Sequence, residues 1–290
     1  MTDDAIVLSR VTSRRGDFQL GPLDWTVPRG AVMAFIGPNG AGKTTTLDLM
    51  MGLGQPDGGA IEVAGQHQPK DEVALKARVA YVNPDLNFAA WGKVGRAIDF
   101  ISGFYADWDN ARCARLLAEF GLDRNERVAT LSFGARMKLS LVMALSRDAE
   151  VLLLDEPTVG LDVATRHKLF GEILDFMKRE GRTVVISSHQ LADLERLADH
   201  VAILNHGKLL TSGRMDELVE RYEQIDGRLT NGRSLPALDG VRVLARDGDR
   251  VRALLDRKFA DETELAACPF EVLARTPLTL EDLFVALVAN

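Results

Sequence analysis

The sequence predicts an α/β protein built on a largely parallel sheet, followed by a small α+β unit. Short apolar runs rich in β-branched residues alternate with stretches of helical period, the pattern of a layered α/β core. A glycine-rich turn, Gly37 to Thr45, joins one of those runs to a helical stretch. After about Tyr222 the texture changes to a hairpin and one amphipathic helix.

In chain order, Ile6–Val11 and Asp17–Val27 read as antiparallel strands added to the core. Ala31–Ile36 and Val79–Val82 are strands bounded by glycine, proline or charged residues, and Thr45–Met51 can be helical. Cys113, Leu116, Leu117 and Phe120 recur at one helical face, and Arg136–Leu145 is a strongly apolar helix. Val151–Leu154 and Thr183–Ser187 are apolar without alternation, which predicts strands buried on both faces of a parallel sheet. Between them Leu169, Phe170, Ile173, Leu174 and Met177 share a predicted helix face. In the tail, Val241–Ala245, the turn Asp247-Gly248 and Val251–Leu255 form a predicted hairpin. Thr279 with Asp282 caps a last helix carrying Leu280, Leu283, Phe284 and Leu287. Arg242, Arg246, Arg250, Arg252 and Arg257 make a solvated face.

Composition narrows the function. Over 290 residues, 35 Lys+Arg stand against 42 Asp+Glu, and the net charge of −7 argues against coating nucleic acid. A hydrophobic fraction of 46% supports real cores and excludes a disordered chain. Two cysteines, Cys113 and Cys268, make no disulfide framework and fit a reducing compartment. The start MTDDAIVLSR is acidic and shows no secretory signal, and no run approaches the ~18 apolar residues of a membrane span. If membranes matter, a partner must supply the span.

The turn Gly37-Pro38-Asn39-Gly40-Ala41-Gly42-Lys43-Thr44-Thr45 satisfies G-x-x-x-x-G-K-[ST] between a strand and a helix. Glycines let consecutive backbone N–H groups wrap anionic oxygens, and the helix N-terminus adds partial positive charge. Lys43 brings a point charge to β- and γ-phosphates, and the Thr44 hydroxyl is a hard ligand for Mg²⁺. The run Val151–Pro157 ends a buried strand in two carboxylates on the same sheet edge. Asp155 is expected to hold Mg²⁺ through water, and Glu156 to polarise a water attacking the γ-phosphate. His189, after Ser188 at the end of another core strand, can hydrogen-bond a γ-phosphate oxygen. These residues define a nucleotide site.

The ordered set GPNGAGKTT, Leu131-Ser132-Phe133-Gly134-Ala135, VLLLDEP, Gly160-Leu161-Asp162 and Ser188-His189 resembles the ATP-binding subunits of ABC transporters from Ala5 to about Tyr222. The resemblance implies an ABC-cassette P-loop fold over 1–222, a helical subdomain at about 85–150 and an accessory unit at 223–290. It makes LSFGA the signature, Asp162 part of the D-loop and His189 the switch histidine. ATP with Mg²⁺ is the implied cofactor, held head-to-tail in a homodimer or a heterodimer with another cassette. Ser132 and the Gly134 N–H would then reach a γ-phosphate across the interface. The chain departs from the pattern at Phe133 and Ala135. It also has Asn83-Pro84-Asp85 where a glutamine is usual, so Asn83 or Asp85 substitutes or the coupling differs. The adenine-stacking aromatic has no clear counterpart. Arg14 is the candidate, with Phe18 as the alternative.

The implied function is a Mg²⁺-dependent ATPase, peripheral on the cytoplasmic face of the cell membrane, energising a transmembrane permease on a separate chain. The ending TPLTLEDLFVAL resembles subunits that serve ABC-2-type exporters. Of the aromatics Phe88, Trp91, Phe104, Tyr105 and Trp108, those near Phe88 and Trp91 are expected to line a groove for a membrane-partner helix. The alternative reading is a soluble, non-transport ABC-type ATPase whose C-terminal unit regulates or dimerises it. No nucleic-acid partner is expected.

Overall fold

A computed structural model describes residues 3–85, 89–188, 191–230 and 237–288. The chain divides into two compact units, Met1–Thr211 and Ser212–Asn290. The division precedes Tyr222 because the segment before it packs with the tail's own first strand.

The first unit opens with the strands β1 (Asp4–Arg15), β2 (Phe18–Pro28) and β3 (Val32–Ile36), followed by helix α1 (Lys43–Met51). Strands β4 (Gly58–Val63) and β5 (Gln66–His67) come next, then helix α2 (Glu72–Arg78) and strand β6 (Val79–Val82). The longest helical stretch holds α3 (Val94–Ser102), α4 (Asn110–Phe120) and α5 (Phe133–Leu145). Strand β7 (Val151–Asp155), helix α6 (Val163–Met177), strand β8 (Thr183–Ser188) and the short α7 (Leu191–Leu194) lead to β9 (His200–Asn205) and β10 (Lys208–Arg214).

Two sheets result. A six-stranded sheet runs β10-β9-β3-β8-β7-β6, and β9-β3, β3-β8, β8-β7 and β7-β6 are parallel pairs. Every residue of β3, β7 and β8 is buried, as their unbroken apolar runs predict. Helix α1 packs on β7, α5 on β6 and α6 on β8. An antiparallel sheet of order β2-β1-β4-β5 joins the same core, where Trp25 stacks on Phe35 with ring centroids 4.7 Å apart. Burying each such large side chain stabilises the unit by about 1.5–3 kcal/mol.

Three local differences from expectation have physical causes. Helix α1 begins at Lys43, two residues early, so Lys43 and Thr44 lie in its first turn. Helix α5 begins at Phe133 because Ser132 caps it, its Oγ accepting from the Ala135 N–H at 3.2 Å. On α6 Leu174 is 52% exposed, whereas Glu172 is buried between Arg112 and Arg115 of α4. Among the described residues no helix is long and apolar enough to cross a membrane.

The second unit contains α8 (Met215–Arg221), β11 (Tyr222–Leu229), β12 (Val241–Asp247), β13 (Arg250–Asp256), α9 (Glu262–Ala267), β14 (Phe270–Pro277) and α10 (Leu280–Val288). Its antiparallel sheet has the order β12-β13-β11-β14, with Ile225, Leu229, Val251, Ala253, Leu255, Leu265 and Phe270 as core. The predicted hairpin is β12-β13. Thr279 and Asp282 form the expected reciprocal cap of α10, with the Asp282 N–H donating to Thr279 Oγ1 at 3.1 Å and the Thr279 N–H to Asp282 Oδ2 at 3.2 Å. Arg242, Arg246, Arg250, Arg252 and Arg257 are all exposed, as the solvated face predicts, and within it Arg252 pairs with Asp226, Arg257 with Glu223, and Arg242 donates to the Leu287 carbonyl.

Candidate functional site

Strands β3 and β7 end on the same edge of the six-stranded sheet, because all strands from β9 to β6 run parallel. Leaving β3, the chain passes so close to β9 that a Cβ on Gly37 would lie 2.3 Å from the Leu204 carbonyl oxygen. Only glycine fits there. The turn that follows and the end of β7 line a cavity of about 460 Å³ with Arg15, Phe18, Asn39 to Thr45, Asp155 and Glu156.

Inside it the polar groups satisfy one another. Lys43 Nζ donates to the carbonyls of Gly37 at 2.7 Å and Pro38 at 3.3 Å, and lies 3.7 Å from Glu156 Oε1. Thr44 Oγ1 donates to Asp155 Oδ2 at 2.6 Å, and Ser187 Oγ donates to Asp155 Oδ1. The Glu156 N–H donates in turn to Ser187 Oγ at 3.0 Å. Glu156 sits at φ 45°, a left-handed conformation that is strained for a side chain of this size. Burial lowers the Lys43 pKa, opposed by the neighbouring Glu156 and Asp155. Burial raises that of Asp155, opposed by the Ser187 and Thr44 hydroxyls.

The donor set fits Mg²⁺. Thr44 and Asp155 offer adjacent hard oxygens, and no group of three or more His, Cys, Asp or Glu forms a closed cage among the described residues. Mg²⁺ is commonly held this way, by one or two protein oxygens with the remaining positions left to phosphate and water.

Not every expected residue meets at the cavity. Arg14 does not line it. Its Nε folds back to the Gly16 carbonyl at 3.3 Å, while its neighbour Arg15 and Phe18 both reach the cavity. Successive residues of a strand face opposite ways, and register shifts in β1 at Leu8/Val11 and Val11/Ser13 obscure which face is which. Ser132, Gly134 and Asp162 lie outside the cavity lining. Ser132 caps α5, and Asp162 caps α6 by accepting from the Thr165 N–H at 2.8 Å and hydroxyl at 2.7 Å. The two turns touch: a Cβ on Gly134 would lie 2.3 Å from the Gly160 carbonyl, and Phe133 covers Gly160. His189 and Phe88 lie outside the described residues. Trp91 packs edge-on to Phe100 at 4.7 Å, and Phe100 to Phe104 at 5.1 Å, with Phe100 and Phe104 both exposed.

Sequence reasoning missed Ser187, whose signal was its place at the end of an apolar strand beside the DE pair. Registry sets it directly opposite Asp155.

A phosphate-binding loop on a parallel sheet, closed by a strand-end carboxylate pair, defines a P-loop nucleotide-binding protein. The comparisons narrow that class. A family model described as ABC transporter matches residues 20–159. The Nod factor export ATP-binding protein I of Ralstonia nicotianae is 30% identical over 92% of this chain and 88% of its own length. The daunorubicin resistance ATP-binding protein DrrA3 of Streptomyces coeruleorubidus is 31% identical over 97% and 92%. A solved ATP-binding subunit of an ABC transporter superposes with a TM-score of 0.65 at 25% identity, covering 74% of this chain and 92% of that one. The chain belongs to the ABC transporter ATP-binding protein family.

Proposed function

We propose that this chain binds and hydrolyses ATP to energise a separate transmembrane permease of an exporter, from the cytoplasmic face of the membrane. The relative named for Nod factor export supports the direction. Backbone N–H groups of Gly40 and Gly42, with the N-terminus of α1, hold the phosphates, while the Ala41 N–H closes the loop on the Pro38 carbonyl at 3.1 Å, and Lys43 reaches the β- and γ-positions. Thr44 and Asp155 hold Mg²⁺, which supplies charge neutralisation at the phosphoryl oxygens. Glu156 takes the proton of the attacking water, and His189 binds the γ-phosphate. Arg15 and Phe18 flank the base. Trp91, with Phe100 and Phe104, offers an apolar surface to a helix of the permease.

The observation that carries this reading is the separation of the parts. One chain builds a phosphate cavity whose polar groups are already paired, while Ser132 and Gly134 stay outside it. A second cassette, a copy or a relative, brings its own Ser132 and Gly134 equivalents over the γ-phosphate. The test is Glu156→Gln. Turnover should fall by about 10²–10⁴-fold, with an ATP-bound dimer accumulating in size-exclusion chromatography with light scattering. Wild-type hydrolysis by this variant refutes the base assignment. Strictly single chains in every nucleotide state refute the dimer.

A further inference from the structure

An ion pair leaves the cavity, and a run of hydrogen bonds continues from it to the turn where the usual glutamine is missing. Arg15, a cavity-lining residue, places Nη1 3.6 Å from Asp48 Oδ2. Asp48 lies on α1, one turn beyond the phosphate loop. Its other oxygen, Oδ1, accepts from the Tyr81 hydroxyl at 2.9 Å. That hydroxyl accepts from Asn83 Nδ2 at 2.7 Å, and Asn83 Oδ1 accepts from the Asp85 N–H at 2.7 Å. Asn83 is 7% exposed, and burial pushes the Tyr81 hydroxyl far above its usual pKa, so it stays a donor.

Each bond in this chain has a fixed direction. A neutral tyrosine hydroxyl has one proton, and Asp48 takes it. Its lone pair then orients the Asn83 amide, which leaves the amide oxygen facing the Asp85 N–H. The middle of this network, from Asp48 to Asn83, is shielded from water, and a shielded polar network transmits a change at one end more strongly than one in water. The change available here is at Arg15. A nucleotide that engages this guanidinium draws it from Asp48, leaving the carboxylate to Tyr81 alone and tightening every later bond.

We propose that Tyr81 is a positioning residue that transmits nucleotide occupancy from Arg15 and Asp48 to the Asn83–Asp85 turn, in place of the glutamine other cassettes use. The inference rests on the cavity being the nucleotide site.

The experiment is amide hydrogen exchange over residues 79–85 of the full chain, with and without ATP and Mg²⁺. ATP affinity and thermal midpoint are measured on the same samples. In the wild type, nucleotide should slow exchange at Asp85. Tyr81→Phe keeps the ring and removes the hydroxyl. Asn83→Asp keeps an acceptor for the Asp85 N–H but cannot donate to Tyr81. Each variant should reduce the nucleotide-dependent protection, taken as the ratio of its own exchange rates without and with nucleotide, by about fivefold, the worth of one neutral hydrogen bond. Undiminished nucleotide-dependent protection in both variants overturns the proposal. So does a wild type that binds ATP without protecting Asp85. A wild type that does not bind ATP overturns the nucleotide reading itself, and the relay with it.

Discussion

The phosphate cavity and the signature turn are built on opposite plans. At the cavity, Thr44, Asp155, Ser187 and Lys43 bond to one another or to the loop's own carbonyls, so the geometry exists before any ligand arrives. At the signature turn, Ser132 and Asp162 spend their side chains on capping α5 and α6, and the two turns clasp each other through Gly134 and Gly160. Further contacts tie the same region together: Lys138 lies 3.6 Å from Asp162, and Glu172 of α6 bridges Arg112 and Arg115 of α4. The first region is preorganised for a ligand. The second is held rigid by its own caps and ion pairs, which is what the proposed presentation to a second cassette requires.

The largest expected effect breaks that comparison directly. Lys43→Ala disables the cavity and Ser132→Ala the signature, and each alone should lower turnover, Lys43→Ala by about 10²–10³-fold. In a mixed dimer of the two variants, one site joins both lesions and the other joins two intact halves. Mixing the purified variants should therefore raise turnover about tenfold or more above either alone. If mixing restores nothing, the cavity and the signature act within one chain and the division of labour fails.

A middle-sized effect concerns the rigidity of the signature side. Burial alone would raise the Glu172 pKa, yet Arg115 and Arg112 outweigh it and hold the carboxylate below its usual value. Glu172→Gln leaves the Arg112 guanidinium without its anion, while Arg115 keeps its pairing with Glu119 at 2.9 Å. The expected loss is about 2–3 kcal/mol, under the ~3–5 kcal/mol of fully buried pairs because Arg115 is half exposed. Urea unfolding measures it. An unchanged midpoint shows that the α4–α6 bridge contributes nothing to this surface.

The two regions also differed in how far the sequence disclosed them. The cavity was legible because its parts are contiguous: nine residues make the loop, and an apolar strand announces where Asp155 and Glu156 will stand. Periodicity likewise located β3, β6, β7 and β8 to within a residue or so. What stayed hidden was non-local. Glu172 reads as a surface position on an amphipathic helix until two arginines some 60 residues earlier fold over it. Arg15 was passed over for Arg14 because irregular register in β1 defeats counting by twos. Asn83 was visible as a departure, but its link to Asp48 through Tyr81 joins a helix to a strand and has no trace in spacing.

The smallest effect separates capping from ligand binding at Asp162. The Thr165 hydroxyl and then its N–H lower the Asp162 pKa to about 2. An unfolded aspartate titrates near ~3.9. Because the folded value is the depressed one, the cap's contribution is complete above about pH 4 and drains away as the pH falls toward 2. Asp162→Ala should therefore lower the urea midpoint modestly at pH 7, and the gap from wild type should narrow once the pH drops below about 4. A gap that stays constant through that range would mean the carboxylate's charge does not support the helix. The cap would then rest on the hydrogen bonds from the Thr165 N–H and hydroxyl rather than on the charge they surround.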